Sequence, residues 1–216
     1  NSSIGFKSYL ARLLNLAHGF QNAILLNWNI LKNEGDEKLS GPLARGLFPN
    51  AWMASVENHA KQYNLDPLFI LSLMRQESAF NEKIVSSANA IGLMQLLPAT
   101  ATDVAGSLDV EFENVDALKD PDVNIMLGVN YLNRLLISFG SNPIYALASY
   151  NAGDHKVREW IEIRGTLGPV EFIESIPYNE TRNYVKKILR NYIIYLALYK
   201  NEHVAKLKDL LVKVYN

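Results

Sequence analysis

Asp66-Pro67-Leu68-Phe69-Ile70-Leu71-Ser72-Leu73-Met74-Arg75-Gln76-Glu77-Ser78 is the stretch that decides the fold class. Asp66 suits the N-cap of a helix, where a short acidic side chain can accept from the first free backbone amides. Pro67 suits the first helical position, because its fixed φ fits and its missing N–H is no loss there. Apolar residues then dominate a run of helical length. Counting back from Glu77, Met74, Leu73 and Ile70 lie three, four and seven positions away, so a helix gathers all four on one face. A carboxyl group among such neighbours has its charged form destabilised, and its pKa rises. A protonated acid near neutral pH can donate to a leaving group. From the helix alone, a buried acid paired with an Arg or Lys is an equally open reading.

Helical periodicity extends outward in both directions. Residues 6–31 carry apolar side chains at helical spacing, with a break expected at Gly19, and residues 33–38 read as a polar loop. Phe48-Pro49 is expected to open a helix through Tyr63, with Trp52, Val56, His59 and Tyr63 on one face. Pro98 starts a short helix that stops near Gly106. Asp120-Pro121 starts a long one whose stripe is Ile125, Val129, Leu132, Leu136 and Phe139, ended by Gly140. Asn142-Pro143 begins a helix reaching Tyr150, and Asp154 is expected to cap the next, with Val157, Trp160 and Ile161 inward. A turn spans residues 165–168, and a short helix covers residues 170–174. Residues 180–199 hold a continuous stripe of Val185, Ile188, Leu189, Tyr192, Ile193 and Leu196, and residues 206–215 read as a final helix. Strand alternation is scarce, so the fold class is all-α or mainly α.

Composition narrows the function classes. The 216 residues suffice for one sizeable domain, alone or with a piece of another. A net charge of −1 lacks the basic excess of a nucleic-acid binder or a polybasic membrane anchor. No apolar run reaches the ~18 residues of a transmembrane segment. There is no cysteine, hence no disulfide and no thiolate metal site. His18, His59, His155 and His203 are scattered and form no ligand motif, so no metal is expected. The chain starts at Asn1 without a signal-peptide pattern, which reads as a processed piece.

Four short motifs follow one another in the sequence. Glu77-Ser78 comes first, then Gly92-Leu93-Met94-Gln95, then Ser149-Tyr150-Asn151-Ala152-Gly153. The last is Phe172-Ile173-Glu174-Ser175-Ile176-Pro177 running into Glu180-Thr181-Arg182-Asn183-Tyr184. In this order and spacing they resemble the catalytic domain of the soluble lytic transglycosylases of Gram-negative bacteria, over about residues 48–200. The resemblance implies a lysozyme-like, goose-type catalytic domain over residues 48–200. Residues 1–47 would be the end of an upstream helical region, and residues 201–216 a C-terminal helix. It also implies peptidoglycan glycan strands as the substrate and the periplasm as the location. Cleavage of the β-1,4 bond would then form 1,6-anhydro-N-acetylmuramic acid ends. No metal and no organic cofactor is implied.

Matched to the Glu-Ser motif, Glu77 is implied as the single catalytic acid and later base. An acetamido sugar can supply its own nucleophilic oxygen, so one carboxyl group can suffice. The other matched positions give candidate substrate contacts. Ser78 can bond Glu77 or a sugar, or its own backbone. The segment of residues 86–95, with Ser86, Met94 and Gln95, resembles the loop that closes over the acid. Gln95 can both donate to and accept from hydroxyl and acetamido groups, whereas Met94 suits a core as well as a contact. Tyr150 offers an apolar face and a hydroxyl to a sugar, an acetamido group or Glu77. Asn151 and Gly153 suit the turn. Glu180 is expected to face the cleft, with Arg182 either its partner or simply exposed, and Tyr178 to stack on a sugar.

Three positions depart from the family pattern. Asn89 stands where Gly is common, Leu97 where Met is frequent, and Ser149 where Ala is usual. Asn tolerates a left-handed backbone better than most residues. None of the three removes a catalytic group. Two other readings remain open: a hydrolytic muramidase that uses Glu77 with water, and a non-catalytic helical module that binds glycan.

Overall fold

The computed structural model describes residues 2–34, 41–112, 114–203, 207–212 and 214. Twelve α-helices are found among them, and no β-strand beyond isolated bridges of Ile91 with Val85 and Leu96. The helices are α1 (Ser2–Leu16), α2 (Phe20–Glu34), α3 (Gly41–Leu47), α4 (Met53–Lys61), α5 (Pro67–Ser78) and α6 (Pro98–Ser107). There follow α7 (Pro121–Ser138), α8 (Pro143–Ala152), α9 (Asp154–Arg164), α10 (Pro169–Ser175), α11 (Asn179–Tyr195) and α12 (Leu207–Val212). The fold is all-α, as the periodicity predicts.

Helix α5 is the axis of the core. Leu68, Phe69, Ile70, Leu71, Leu73 and Met74 are all buried, each worth about 1.5–3 kcal/mol on leaving water. A helix apolar around most of its circumference belongs in an interior, and α5 packs against α4 on one side and α11 on another. Its entry is fixed by the expected cap: the Asp66 carboxylate accepts from Leu68 N–H at 2.9 Å. Asp66 is fully buried. Its second oxygen accepts from the Tyr192 hydroxyl at 2.7 Å and from Lys200 Nζ at 3.0 Å, so the buried charge is paired. Helices α7 and α8 begin with the same Asx-Pro grammar, with Asp120 and Asn142 accepting from amides of their first turns.

Several expected boundaries move. The helix expected from Phe48 begins only at Met53, because Trp52 takes a left-handed backbone (φ 55) at its N-cap. The turn of helix α3 ahead of it was not foreseen. Gly153 rather than Asp154 precedes α9, and Asp154 is its first helical residue. The helix expected over residues 180–199 runs from Asn179 to Tyr195 and continues as a wider π-helical turn over Leu196–Lys200. A 3-10 turn at Val115–Lys119 was likewise not foreseen. Of the expected loop at 33–38, Asn33 and Glu34 finish α2 and the rest lies outside the described residues. Of the final helix, Leu207–Val212 is described.

The N-terminal pair α1 and α2 breaks at Gly19 as expected and lies on the core through aromatic contacts. His18 stacks on Trp52 at 4.7 Å, and Phe20 meets Phe80 edge-on at 6.2 Å. A cavity of about 1200 Å³ lies where α1 and α3 face Trp52, Met53 and Tyr199. Among the described residues no helix is long and apolar enough to cross a membrane.

Candidate active site

Glu77 sits in the last turn of α5, just before the chain reverses. Ala79 and Phe80 both take left-handed backbones (φ 48 and 65), which turns the chain sharply away from the helix. Ser78 holds that turn. Its buried hydroxyl accepts from Phe80 N–H at 3.1 Å and donates to Leu93 O at 2.9 Å. Ser78 thus joins the end of α5 to the loop of residues 91–95 and bonds backbone, the second of its two open readings, in place of a sugar or Glu77.

Burial pushes the Glu77 carboxyl from its ordinary value of 4.5 up to about 7. A hydrogen bond from the Tyr184 hydroxyl to Oε1 pulls the other way and loses. Arg75 takes no part in this balance. Its Nε donates to Leu47 O at 2.9 Å and its guanidinium lies 4.1 Å over the Phe48 ring, away from the acid. Arg182 donates to Glu174 O and to Asn179 Oδ1, and these bonds stand in place of a pairing with Glu180.

Tyr184, the last residue of the fourth motif, is the partner that motif matching does not point to. The available signal was its register: it lies four residues before Ile188 on the buried stripe of α11, yet carries a hydroxyl that must find a partner when buried. The partner is 107 residues away in sequence. Burial and the Glu77 charge hold both the Tyr184 and Tyr150 phenols well above the ordinary tyrosine range. Both are therefore neutral hydroxyls beside the acid. Glu180 is exposed one helical turn ahead of Tyr184 on the same face of α11, about 6 Å closer to the helix start.

The loop of residues 86–95 is knotted by its own backbone. Asn89 adopts φ 62, the left-handed conformation expected of it, and the Ser86 hydroxyl accepts from Ala90 N–H at 3.0 Å. Gln95 is half-buried at φ 49, and its amide nitrogen donates to Gly92 O at 3.0 Å, which holds the loop closed. Met94 is fully buried and packs where Gly128 of α7 leaves room. It is a core residue and not the surface contact that its place in the motif suggests. The Tyr150 hydroxyl donates to Met94 O at 2.8 Å rather than to Glu77. Tyr178, at the N-cap of α11, is half-exposed and lies edge-on to Trp160 at 5.2 Å. In the turn after α8, Asn151 Oδ1 accepts from Thr181 at 2.6 Å, which ties that motif to the start of α11. Among the described residues no three His, Asp or Glu side chains converge as metal ligands would.

Fold and site together define an all-α, lysozyme-like domain with a partly buried glutamic acid flanked by two tyrosines. Residues 54–173 match the model of the Transglycosylase SLT domain, and the chain belongs to that family. Residues 175–203 match a second model, the Soluble lytic transglycosylase helical domain. The soluble lytic murein transglycosylase of Salmonella typhimurium is 35% identical over 164 residues, covering 75% of this chain and 25% of the relative. That of Escherichia coli K12 is 38% identical over 144 residues, covering 66% and 22%. The chain thus spans about a quarter of the length of these curated relatives. Among solved structures, the 70 kDa soluble lytic transglycosylase of Escherichia coli aligns with TM-score 0.80 and 28% identity, over 96% of this chain and 31% of that one. An inactive glutamate-to-glutamine mutant of the lytic transglycosylase Slt of Pseudomonas aeruginosa aligns with TM-score 0.78 and 32% identity, over 95% and 32%.

Proposed function

We propose that this chain is the catalytic part of a peptidoglycan lytic transglycosylase. It would cleave the β-1,4 bond between N-acetylmuramic acid and N-acetylglucosamine and leave 1,6-anhydro-N-acetylmuramic acid ends. The observation that carries the reading is Glu77 itself: an acid held protonated near neutrality by burial, with a neutral tyrosine as its hydrogen-bond partner. The inactive glutamate-to-glutamine mutant of the Pseudomonas relative supports the weight placed on one acid.

The steps follow from that geometry. The Tyr184 hydroxyl donates to Oε1, so the carboxyl proton resides on Oε2, the oxygen free to protonate the glycosidic oxygen. As the bond breaks, the acetamido oxygen of the same sugar attacks the anomeric carbon, which removes the need for a second carboxylate. Glu77, now a carboxylate, is stabilised by Tyr184 and accepts the proton of the sugar's C6 hydroxyl. That hydroxyl closes on the anomeric carbon, expels the acetamido oxygen and forms the anhydro ring. Glu77 is again protonated.

Gln95, Ser86, Tyr150, Glu180 and Tyr178 are assigned to the surroundings of the sugar. Of these, Glu180 and Tyr178 are exposed at the start of α11 and free of the loop's internal bonds. The catalytic unit is assigned to residues 48–200, with residues 1–47 as the end of an upstream helical region and 201–216 as a C-terminal addition. Action on the cell wall from the periplasm follows from the same reading.

A digest of purified peptidoglycan resolved by mass tests the reading. Anhydro ends lie one water (~18 Da) below reducing ends. Mainly reducing ends would favour the muramidase reading instead. Glu77→Gln keeps the shape but cannot deliver the proton. Cleavage by that variant within about threefold of wild type would defeat the single-acid mechanism.

A further inference from the structure

The geometry points to Asn124 of α7 as the positioning residue that holds the loop of residues 91–95 in place beside Glu77. This inference rests on the transglycosylase reading above for its activity readout, though not for its spectroscopic one. Asn124 is fully buried in the first turns of α7. Its Oδ1 accepts from Met94 N–H at 2.8 Å, and its Nδ2 donates to Ile91 O at 2.9 Å and Leu118 O at 2.8 Å. Both protons of the amide are used, and one side chain reaches both ends of the loop and the turn before α7.

The loop is shaped to receive it. Gly92 has φ 79, and a Cβ there would overlap both the Asn124 amide and Leu118 O. Glycine is thus required twice at this position, for its backbone conformation and for the close approach. The backbone at Leu93 and Met94 is then gripped from three helices. Ser78 of α5 donates to Leu93 O, Asn124 of α7 accepts from Met94 N–H, and Tyr150 of α8 donates to Met94 O. Because Ser78 adjoins the acid and Tyr150 lies within electrostatic reach of it, this backbone sets where the loop stands relative to Glu77.

Loss of the Asn124 side chain frees the Met94 N–H, so Met94 O, the acceptor of the Tyr150 hydroxyl, can move out of its reach. A buried hydroxyl must find another, and the Glu77 carboxyl is its neighbour. The groups facing Glu77 are Tyr184 from α11 and Tyr150 from α8, with Tyr131 of α7 coupled to both. A second phenol donating to Glu77 stabilises its carboxylate and lowers its pKa.

The test compares Asn124→Ala and Gly92→Ala with Val104→Ala, a buried residue of the small core under the same loop. All are assayed on peptidoglycan below their unfolding temperatures, and Glu77 is titrated by carboxyl NMR. Expected for Asn124→Ala is a kcat lower by about 100-fold, the scale of an ångström-sized misplacement, with a lower Glu77 pKa. Val104→Ala is expected to lose stability while keeping kcat within about threefold and the Glu77 titration unmoved. An Asn124→Ala protein with wild-type kcat, or with an unmoved Glu77 titration, overturns the inference. Should Asn124→Ala not fold by circular dichroism, Gly92→Ala is judged by the same two outcomes. Wild-type protein that forms no anhydro ends defeats the transglycosylase reading alone, and the Glu77 titration then decides for or against Asn124.

Discussion

Replacing Glu77 by Gln should make the protein more stable at alkaline pH, by an amount the structure supplies. Burial raises the Glu77 carboxyl from 4.5 to about 7 against the pull of Tyr184. Below pH 4.5 the folded and unfolded chains both hold the proton, and the group contributes no pH dependence. Between 4.5 and about 7 the unfolded chain loses the proton while the folded chain keeps it, so stability falls as pH rises. Above about 7 both are ionised and the loss is complete. The displacement, at about 1.4 kcal/mol per pH unit, amounts to about 3 kcal/mol. Glutamine carries no proton equilibrium, so this loss is absent in Glu77→Gln. Constant differences in packing or hydrogen bonding between the two proteins cancel when their stability gap is followed against pH. Urea unfolding of both at pH 4 to 8 measures that gap. It should shift by about 3 kcal/mol in favour of the variant as pH rises. A gap constant to within about 0.5 kcal/mol would show that Glu77 is not desolvated in the free protein, and the argument for a protonated acid would fall with it.

Two further outcomes follow from other bonds. Tyr184→Phe removes the hydroxyl that favours the Glu77 carboxylate, so the Glu77 pKa should rise above about 7 by a further unit or so. The alkaline limb of the kcat/KM profile should move up with it, opposite in sign to the effect expected of Asn124→Ala, and a limb moving down would contradict the assignment of Tyr184. Tyr192→Phe removes a hydrogen bond at 2.7 Å from the fully buried Asp66 carboxylate. It should lower stability by about 2 kcal/mol with activity nearly unchanged, checked by thermal unfolding, and an unaltered Tm would mean that Lys200 and the Leu68 amide satisfy the charge without it.

The helices were legible because their signals are local. Asp66-Pro67, Asp120-Pro121 and Asn142-Pro143 each pair a capping side chain with a proline at the first helical position, and each starts a helix at that proline. Trp52 departs from that local grammar: it takes a left-handed backbone, with its ring against His18 and Phe20, that nothing in tryptophan itself favours. The partners of Arg182 and Ser78 were open for a related reason. Several acceptors lay within reach of each, and which one wins depends on how the neighbouring helices sit.

What the sequence determined by itself was the class of fold, the placement of one acid on an apolar helix face, and the motif order that marks the family. Those properties depend on residues within a few turns of one another, where periodicity and capping act. The tertiary structure alone decided the rest: which tyrosine donates to Glu77, which amide grips Met94, and that Met94 faces inward. Tyr184 and Glu77 are 107 residues apart, and Asn124 and Met94 are 30 apart. Neither pair is fixed by local preference. They meet because α11 and α7 bury their apolar stripes in the same core as α5, and a buried polar group must then bond to whatever that packing brings beside it.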